Sequence, residues 1–346
     1  MFARLRRWFS RTSTPAGLVT PPARAPEPRV VAPAPVAGLP SAAEPPSATE
    51  ADARAALDDA LAAWVAGVAP SDRGPAGALA AALASSRTDA IRQLPSAARE
   101  AMAVCDDPRS GVGELARVCE RDLAVAPALL RYANSAFFAR PGQGPAASVR
   151  EAVDRVGVGG VRSVLVDVTV SRLLCGPASR HAGLAAQLWT HAQRTAAVAR
   201  AVAPAFGAAP ERAYVAGLLH DVGKLVLLDR AAGAGATGVA WPALRAGLLA
   251  LHEPLGALAV ARWGLGDDVA RAVGGHHRRA APPDRDAVAE AVFLAERADH
   301  AVRTGDALDV AALWEAGALT GDRERATAAL QAHLGPVLTL AEPAAA

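Results

Sequence analysis

The chain has 346 residues, 52% hydrophobic and 4% aromatic, with a net charge of +2. That length and apolar content allow a large core and two domains, while the near-neutral balance provides no global field for nucleic acid or acidic partners. The Ala/Leu/Arg-rich composition favours helix over sheet, and no window reaches the roughly 18 uninterrupted apolar residues of a spanning helix.

Three cysteines, Cys105, Cys119 and Cys175, form no C-x-x-C pair. Neither a disulfide framework nor a zinc ribbon is indicated, and a reducing, cytoplasmic setting is expected.

At the amino end Phe2, Leu5, Trp8 and Phe9 recur at helical spacing among Arg4, Arg6, Arg7 and Arg11. The interspersed arginines interrupt the apolar core that a signal peptide needs. Residues 1–12 therefore read either as a helix lying on a membrane surface or a partner, or as a frayed basic terminus, the favoured reading because so short a helix is marginal alone.

Ten prolines between Pro15 and Pro46 predict a disordered Pro/Ala-rich tether, completing an N-terminal region over 1–50. Leu57, Leu61, Trp64, Val65 and Val68 then mark a helix from Ala51 to near Pro70, and a shorter one is expected over Pro75–Ser85, giving accessory helices over 51–87. Beyond Asp89, helical segments are predicted at 89–105, 111–119, 124–134, 148–156, 160–174, 181–206, 211–222, 241–263, 267–277, 286–303, 308–317 and 322–334.

The Val-rich stretch over 156–174 could form a strand. Its Gly157-x-Gly159-Gly160 looks faintly like a phosphate loop, yet the dinucleotide fingerprint and its βαβ setting are missing. A Gly-opened buried helix is the preferred reading.

Residues 216–228, AGLLHDVGKLVLL, are the most informative. A histidine and a carboxylate in an apolar run are costly to bury without a partner, and a divalent metal suits adjacent His220 and Asp221. Lys224 is the only lysine, against 35 arginines. It either contacts a phosphate or pairs with Asp221.

The eight histidines are His181, His191, His220, His252, His276, His277, His300 and His333. Neighbours on a helix point about 100° apart, so His276 and His277 cannot both serve one metal without local unwinding. No H-E-x-x-H, G-x-S-x-G or P-loop motif occurs, which disfavours zincins, α/β-hydrolases and P-loop enzymes.

From about 88 to 300 the chain resembles an HDOD domain, a bacterial relative of the HD and HD-GYP metal-dependent phosphohydrolases. The first lobe is matched by LPSAAREAMAVCDD, by SGVGELARVCERDLAVAPALLRYANSAFF with its Ala133–Ser135 ANS, and by ASVREAVDRVGVGGVRSVLVDVTVSRLL. The HD lobe is matched by LWTHAQRTAAVARAVA, AYVAGLLHDVGKLVLL, LHEPLGALAVARWGLGDDVARAVGGHH and AVFLAERA.

The resemblance implies an all-α, two-lobed domain over 88–300 (lobes 88–176 and 177–300), followed by C-terminal helices and a tail over 301–346. It assigns metal-ligand roles to His191, His220 and Asp221, and second-metal roles to His252 and one of His276 and His277. The closing aspartate of the relatives falls on Glu296, with Asp299 one turn later as a substitute. The family's usual Asp-Pro is Asp122-Leu123 here, expected to alter a helix entry, and the Gly-Tyr-Pro signature is absent after His277.

Two functions follow from the resemblance. One is a regulatory module in signal transduction, binding protein partners and switched by a metal or by a nucleotide or other phosphorylated ligand. The alternative is an active metal-dependent phosphohydrolase or phosphodiesterase, with Asp221 and Lys224 at its catalytic centre. The ligand set suits Fe, Mn, Zn or Co. Specific nucleic-acid binding has only scattered arginines behind it.

Overall fold

The computed structural model describes residues 48–84, 91–139, 142–176, 181–232, 238–277, 286–335 and 337–341. The basic segment over 1–12 and the predicted Pro-rich tether lie outside the described residues. In chain order the helices are α1 (Ala48–Gly67), α2 (Arg73–Ala84), α3 (Ser96–Asp106), α4 (Val112–Glu120), α5 (Val125–Ala133), α6 (Val149–Leu174), α7 (Ala182–Val202) and α8 (Pro210–Leu219). They continue as α9 (Val222–Ala232), α10 (Trp241–Ala250), α11 (His252–Arg262), α12 (Asp267–Gly274), α13 (Ala287–Thr304), α14 (Val310–Glu315) and α15 (Arg323–Leu334). Two-residue strands β1 (Ala307–Leu308) and β2 (Thr339–Leu340) pair in parallel, with Ala307 opposite Thr339. The fold is all-α, and no single helix among the described residues is long and apolar enough to cross a membrane.

Local chemistry sets many helix starts. Ser148, Asp286, Asp309 and Asp322 accept hydrogen bonds from the amides of Glu151, Val288, Ala312 and Arg325, satisfying donors that a helix N-terminus leaves open. Asp122 Oδ1 accepts from Ala124 N at 2.8 Å ahead of α5, so this helix entry is made without the family's proline, and the adjoining Leu123 is exposed.

Several predicted segments break differently. The segment expected from 89 becomes helical only at Ser96, because the residue before Pro95 is disfavoured in the α region; Ile91 and Leu94 are buried ahead of that helix. The two segments predicted on either side of Gly157 run together as α6, kinked where Gly157 takes φ 69°, so helix rather than strand is the outcome. Gly159 and Gly160 lie within this helix and form no phosphate loop. The expected helix over 241–263 is two, bent by 61° at Leu251. Gly223 is no break: the chain turns at His220-Asp221 and resumes as the unpredicted α9.

Helices α3, α4 and α5 pack on α6, a group termed the first lobe, and α7–α13, termed the second, carry the histidine-rich segments. Trp64 of α1 donates to Ala243 O at 2.9 Å and Glu50 pairs with Arg262 at 3.0 Å, which builds α1 onto the second group. The three thiols are free, and burial pushes Cys105, Cys119 and Cys175 up to about 11, 12 and 11, as expected of unreactive packing residues.

Candidate metal centre

Three histidines reach the site by the same local device. Each stands just past a helix and offers its ring to the carbonyl three residues back: His220 Nδ1 to Gly217 O (2.8 Å), His252 Nδ1 to Leu249 O (3.0 Å) and His276 Nδ1 to Val273 O (2.8 Å). Carbonyls at a helix end lack intrahelical donors. A carbonyl can only accept, so Nδ1 carries the proton and Nε2 is left with an outward lone pair. All three rings are buried, at 0%, 3% and 1% exposure.

His191 is different, since it lies within α7. Its Nδ1 donates to Asp299 Oδ2 at 2.7 Å, and its Nε2 meets His220 Nε2 at 3.1 Å. With both Nδ1 protons committed, two lone pairs face each other unless a cation, a proton or a metal ion, lies between. Nitrogens sharing one metal at about 2.0–2.1 Å stand about 3.0–3.4 Å apart.

Asp221 sits between two groups of imidazoles. Its Oδ2 is 3.6 Å from His220 Nε2 and 3.8 Å from His191 Nε2; its Oδ1 is 3.8 Å from His252 Nε2 and 3.9 Å from His276 Nε2. Lys224 closes the carboxylate, with Nζ 2.6 Å from Oδ1 and 2.7 Å from Oδ2, the latter a hydrogen bond. Burial opposes ionisation of Asp221, but His220 and Lys224 outweigh it and hold the carboxyl well below the usual range. Burial pushes His220 and His252 down to about 4 and His276 well below its ordinary value, keeping the imidazoles neutral as ligation requires.

The donor atoms form three sets, each within 4.8 Å: His191, His220 and Asp221; His220, His276 and Glu296; and His252, His276 and His277. The first and third share no residue, so both can fill at once, whereas the second competes with each. His276 and His277 both reach the third set because α12 ends at Gly274 and the chain unwinds through them. Among the described residues, buried His252 Nε2 and His276 Nε2 have no hydrogen-bond partner. Buried acceptors without donors are costly, and lone pairs converging on one space fit a divalent cation.

Glu296 Oε2 lies 3.4 Å from His277 Nδ1, and burial, aided by Asp221, raises its carboxyl to about 7. Asp299 belongs to none of the three sets. Its oxygens are taken by His191 Nδ1, by Arg194 Nε (2.7 Å) and by Arg303 Nε (2.8 Å), so it orients His191 from behind. His181, His300 and His333 belong to none of the three sets.

Arg194, Arg303 and Glu253 were missed by the sequence reading. Glu253 accepts from His277 N at 3.2 Å. The i,i+4 spacing of Asp299 and Arg303 was a readable signal; the reach of Arg194 across two helices was not. The glycine of the His-Asp run has a packing reason: a Cβ on Gly223 would lie 2.1 Å from His252 O and 2.8 Å from Gly256 N. Only a bare backbone lets the turn that carries Asp221 lie against the start of α11.

An all-α bundle that gathers histidines and an aspartate from successive helix ends has the architecture of an HD-type domain. The HDOD domain model matches residues 91–279, more than half of the sequence, and the chain belongs to that family. A curated, uncharacterized relative from Treponema pallidum is 29% identical over 227 residues, which are 60% of this chain; the chain spans only 41% of that relative's length.

Two solved structures share the fold. One, from Shewanella amazonensis SB2B and provisionally named a metal-dependent phosphohydrolase, is 19% identical with a TM-score of 0.56, over 69% of this chain and 92% of that one. The other, an HDOD domain protein of unknown function from Geobacter sulfurreducens, is 20% identical with a TM-score of 0.53, over 71% and 91%.

Proposed function

We propose that the second lobe is a divalent-metal centre that binds a phosphorylated ligand, and that the protein acts through it as a ligand-switched regulatory module for protein partners in signal transduction. The observation that carries the reading is the pair of buried, donor-less nitrogens, His252 Nε2 and His276 Nε2, facing the Asp221 carboxylate. Mixed imidazole and carboxylate donors suit Fe, Mn, Zn or Co. Lys224, 18% exposed, adds an ammonium at the edge of the cluster, where an anionic ligand would meet it.

A second reading, phosphoester hydrolysis, is favoured by the two non-overlapping donor sets, one containing Asp221 and the other facing its Oδ1 through His252 and His276. Bound ions would supply Lewis acidity toward phosphoester oxygens. The chain itself contributes orientation: Asp299 fixes the His191 ring, backbone carbonyls fix the other three buried rings, and Lys224 offsets charge on a phosphate oxygen. Glu296, neutral up to about pH 7, holds a proton beside His277.

Metal analysis of the purified full-length protein tests the first reading. At least one divalent ion per chain is expected, lost in His276→Ala. No stoichiometric metal, even after incubation with Zn2+, Mn2+, Co2+ or anaerobic Fe2+, overturns it. Turnover of bis-p-nitrophenyl phosphate by the metal-loaded protein, abolished in Asp221→Asn, separates hydrolysis from binding alone.

A further inference from the structure

The inference deepens the metal-site reading and concerns residues remote from it. Helices α7 and α8 run antiparallel, with residue numbers falling along one as they rise along the other. At one end Arg200 Nη2 donates to Glu211 Oε2 at 3.2 Å. In the middle a Cβ on Gly217 would lie 2.9 Å from Ala196 Cα. At the other end His191 Nε2 and His220 Nε2 stand 3.1 Å apart.

The middle contact sets backbone against backbone and cannot compress, so it acts as a pivot. Along α7, His191 is about 7.5 Å from Ala196 on one side and Arg200 about 6 Å on the other, at 1.5 Å per residue. The arms are nearly equal. Rotation that shifts the Arg200–Glu211 end by about 1 Å moves the imidazole end by a similar amount, against a ligation tolerance of about 0.2 Å.

The remote end is tied to the first lobe. Glu211 Oε2 also accepts from Tyr132 Oη (3.2 Å) and Ser163 Oγ (2.8 Å). Gly159 leaves room for it, since a Cβ there would lie 2.9 Å from Glu211 Cγ. Arg200 is 4% exposed, its guanidinium 3.9 Å from the centre of the Tyr214 ring and 4.6 Å from that of Tyr132, with Nε lacking a hydrogen-bond partner among the described residues. An apolar side chain would fill that space without the cost of a buried, partly unbonded cation, so packing alone does not account for an arginine.

We propose that Arg200 and Glu211 are positioning residues for the metal centre: their clamp, anchored on the first lobe through Tyr132 and Ser163, sets the His191–His220 spacing. A change at the first lobe would thereby reach the donor atoms.

The test compares full-length wild type with Arg200→Met, Arg200→Lys and Glu211→Gln. Co2+ binding is followed by visible absorption, the His191 and His220 ring 15N resonances are recorded in metal-free protein, and melting temperature is measured alongside. Arg200→Met and Glu211→Gln are expected to weaken Co2+ binding by about two- to thirtyfold, the scale at which remote substitutions alter the coupling between two sites, and to move both ring resonances. Arg200→Lys should recover part of each change.

Co2+ affinity and ring resonances unchanged in both variants overturn the proposal, whatever happens to melting temperature. If Arg200→Met does not fold, Glu211→Gln, which removes charge at constant size, carries the test. If wild type takes up none of Co2+, Zn2+, Mn2+ or anaerobic Fe2+, the metal reading falls. The metal-free ring resonances then decide the positioning claim by themselves: movement in Glu211→Gln upholds it and no movement overturns it.

Discussion

Gly223→Ala adds one methyl group where the turn bearing His220 and Asp221 crosses the start of α11. The new carbon would lie 2.1 Å from His252 O and 2.8 Å from both His252 C and Gly256 N. These are backbone atoms, so no rotamer change relieves the clash, and ordinary contact requires the two segments to part by about 1 Å. Overpacking of this kind costs about 1–3 kcal/mol and occasionally more. The absence of a flexible neighbour puts this site at about 3 kcal/mol. For a chain of this size each kcal/mol lowers the melting temperature by roughly 2–4 °C, so a fall of about 6–12 °C is expected by differential scanning calorimetry. The same displacement carries His252 away from Asp221 by several times the roughly 0.2 Å that ligation tolerates, so the variant should also lose metal. A variant that melts within about 1 °C of wild type and keeps its metal would show that the crossing yields freely and refute the reasoning.

Three further outcomes are expected. In metal-free protein His220 and His252 protonate at about 4 and His276 well below its ordinary 6.5, whereas the unfolded chain protonates its histidines near 6.5, so their contribution to stability is full above about pH 6.5 and lost as pH falls toward 4. Glu296, raised to about 7, opposes this, its contribution being full at low pH and lost as pH rises through 7; three imidazoles outweigh one carboxyl, so the urea midpoint in EDTA should drop between pH 6.5 and 4, and a flat or rising midpoint would contradict the burial argument. Asp299→Asn should weaken metal binding by about 10–100-fold by isothermal titration while the chain stays folded, because the His191 ring loses its charged anchor; unchanged affinity would make Asp299 a packing residue. Lys224→Arg should weaken inorganic phosphate binding to the metal-loaded protein at least tenfold while the chain stays folded; unchanged phosphate affinity would return Lys224 to its pairing with Asp221.

The sequence by itself determined the helical class and nominated the ordered series His191, His220-Asp221, His252, His276-His277, because helical spacing and an ionisable pair inside an apolar run are written in consecutive residues. It left open what depends on where helices stop and cross. Unwinding past Gly274 brings both His276 and His277 into one donor set, and only once α8, α10 and α12 have ended do Gly217, Leu249 and Val273 offer the carbonyls that fix the Nδ1 protons. The choice between Glu296 and Asp299 was equally undecidable from spacing. One helical turn separates them, but α7 supplies His191 and Arg194 to one and the unwound turn after α12 supplies His277 to the other. The predicted segment 211–222 stopped just short of Gly223, whose role lies in a backbone contact with His252, far along the chain. Arg200 and Glu211 carried no sequence signal, since their partners Tyr132 and Ser163 come from the other lobe. Local periodicity fixes which residues face inward; which inward-facing groups meet, and with which nitrogen or oxygen, is decided by helix crossings that only the tertiary structure contains.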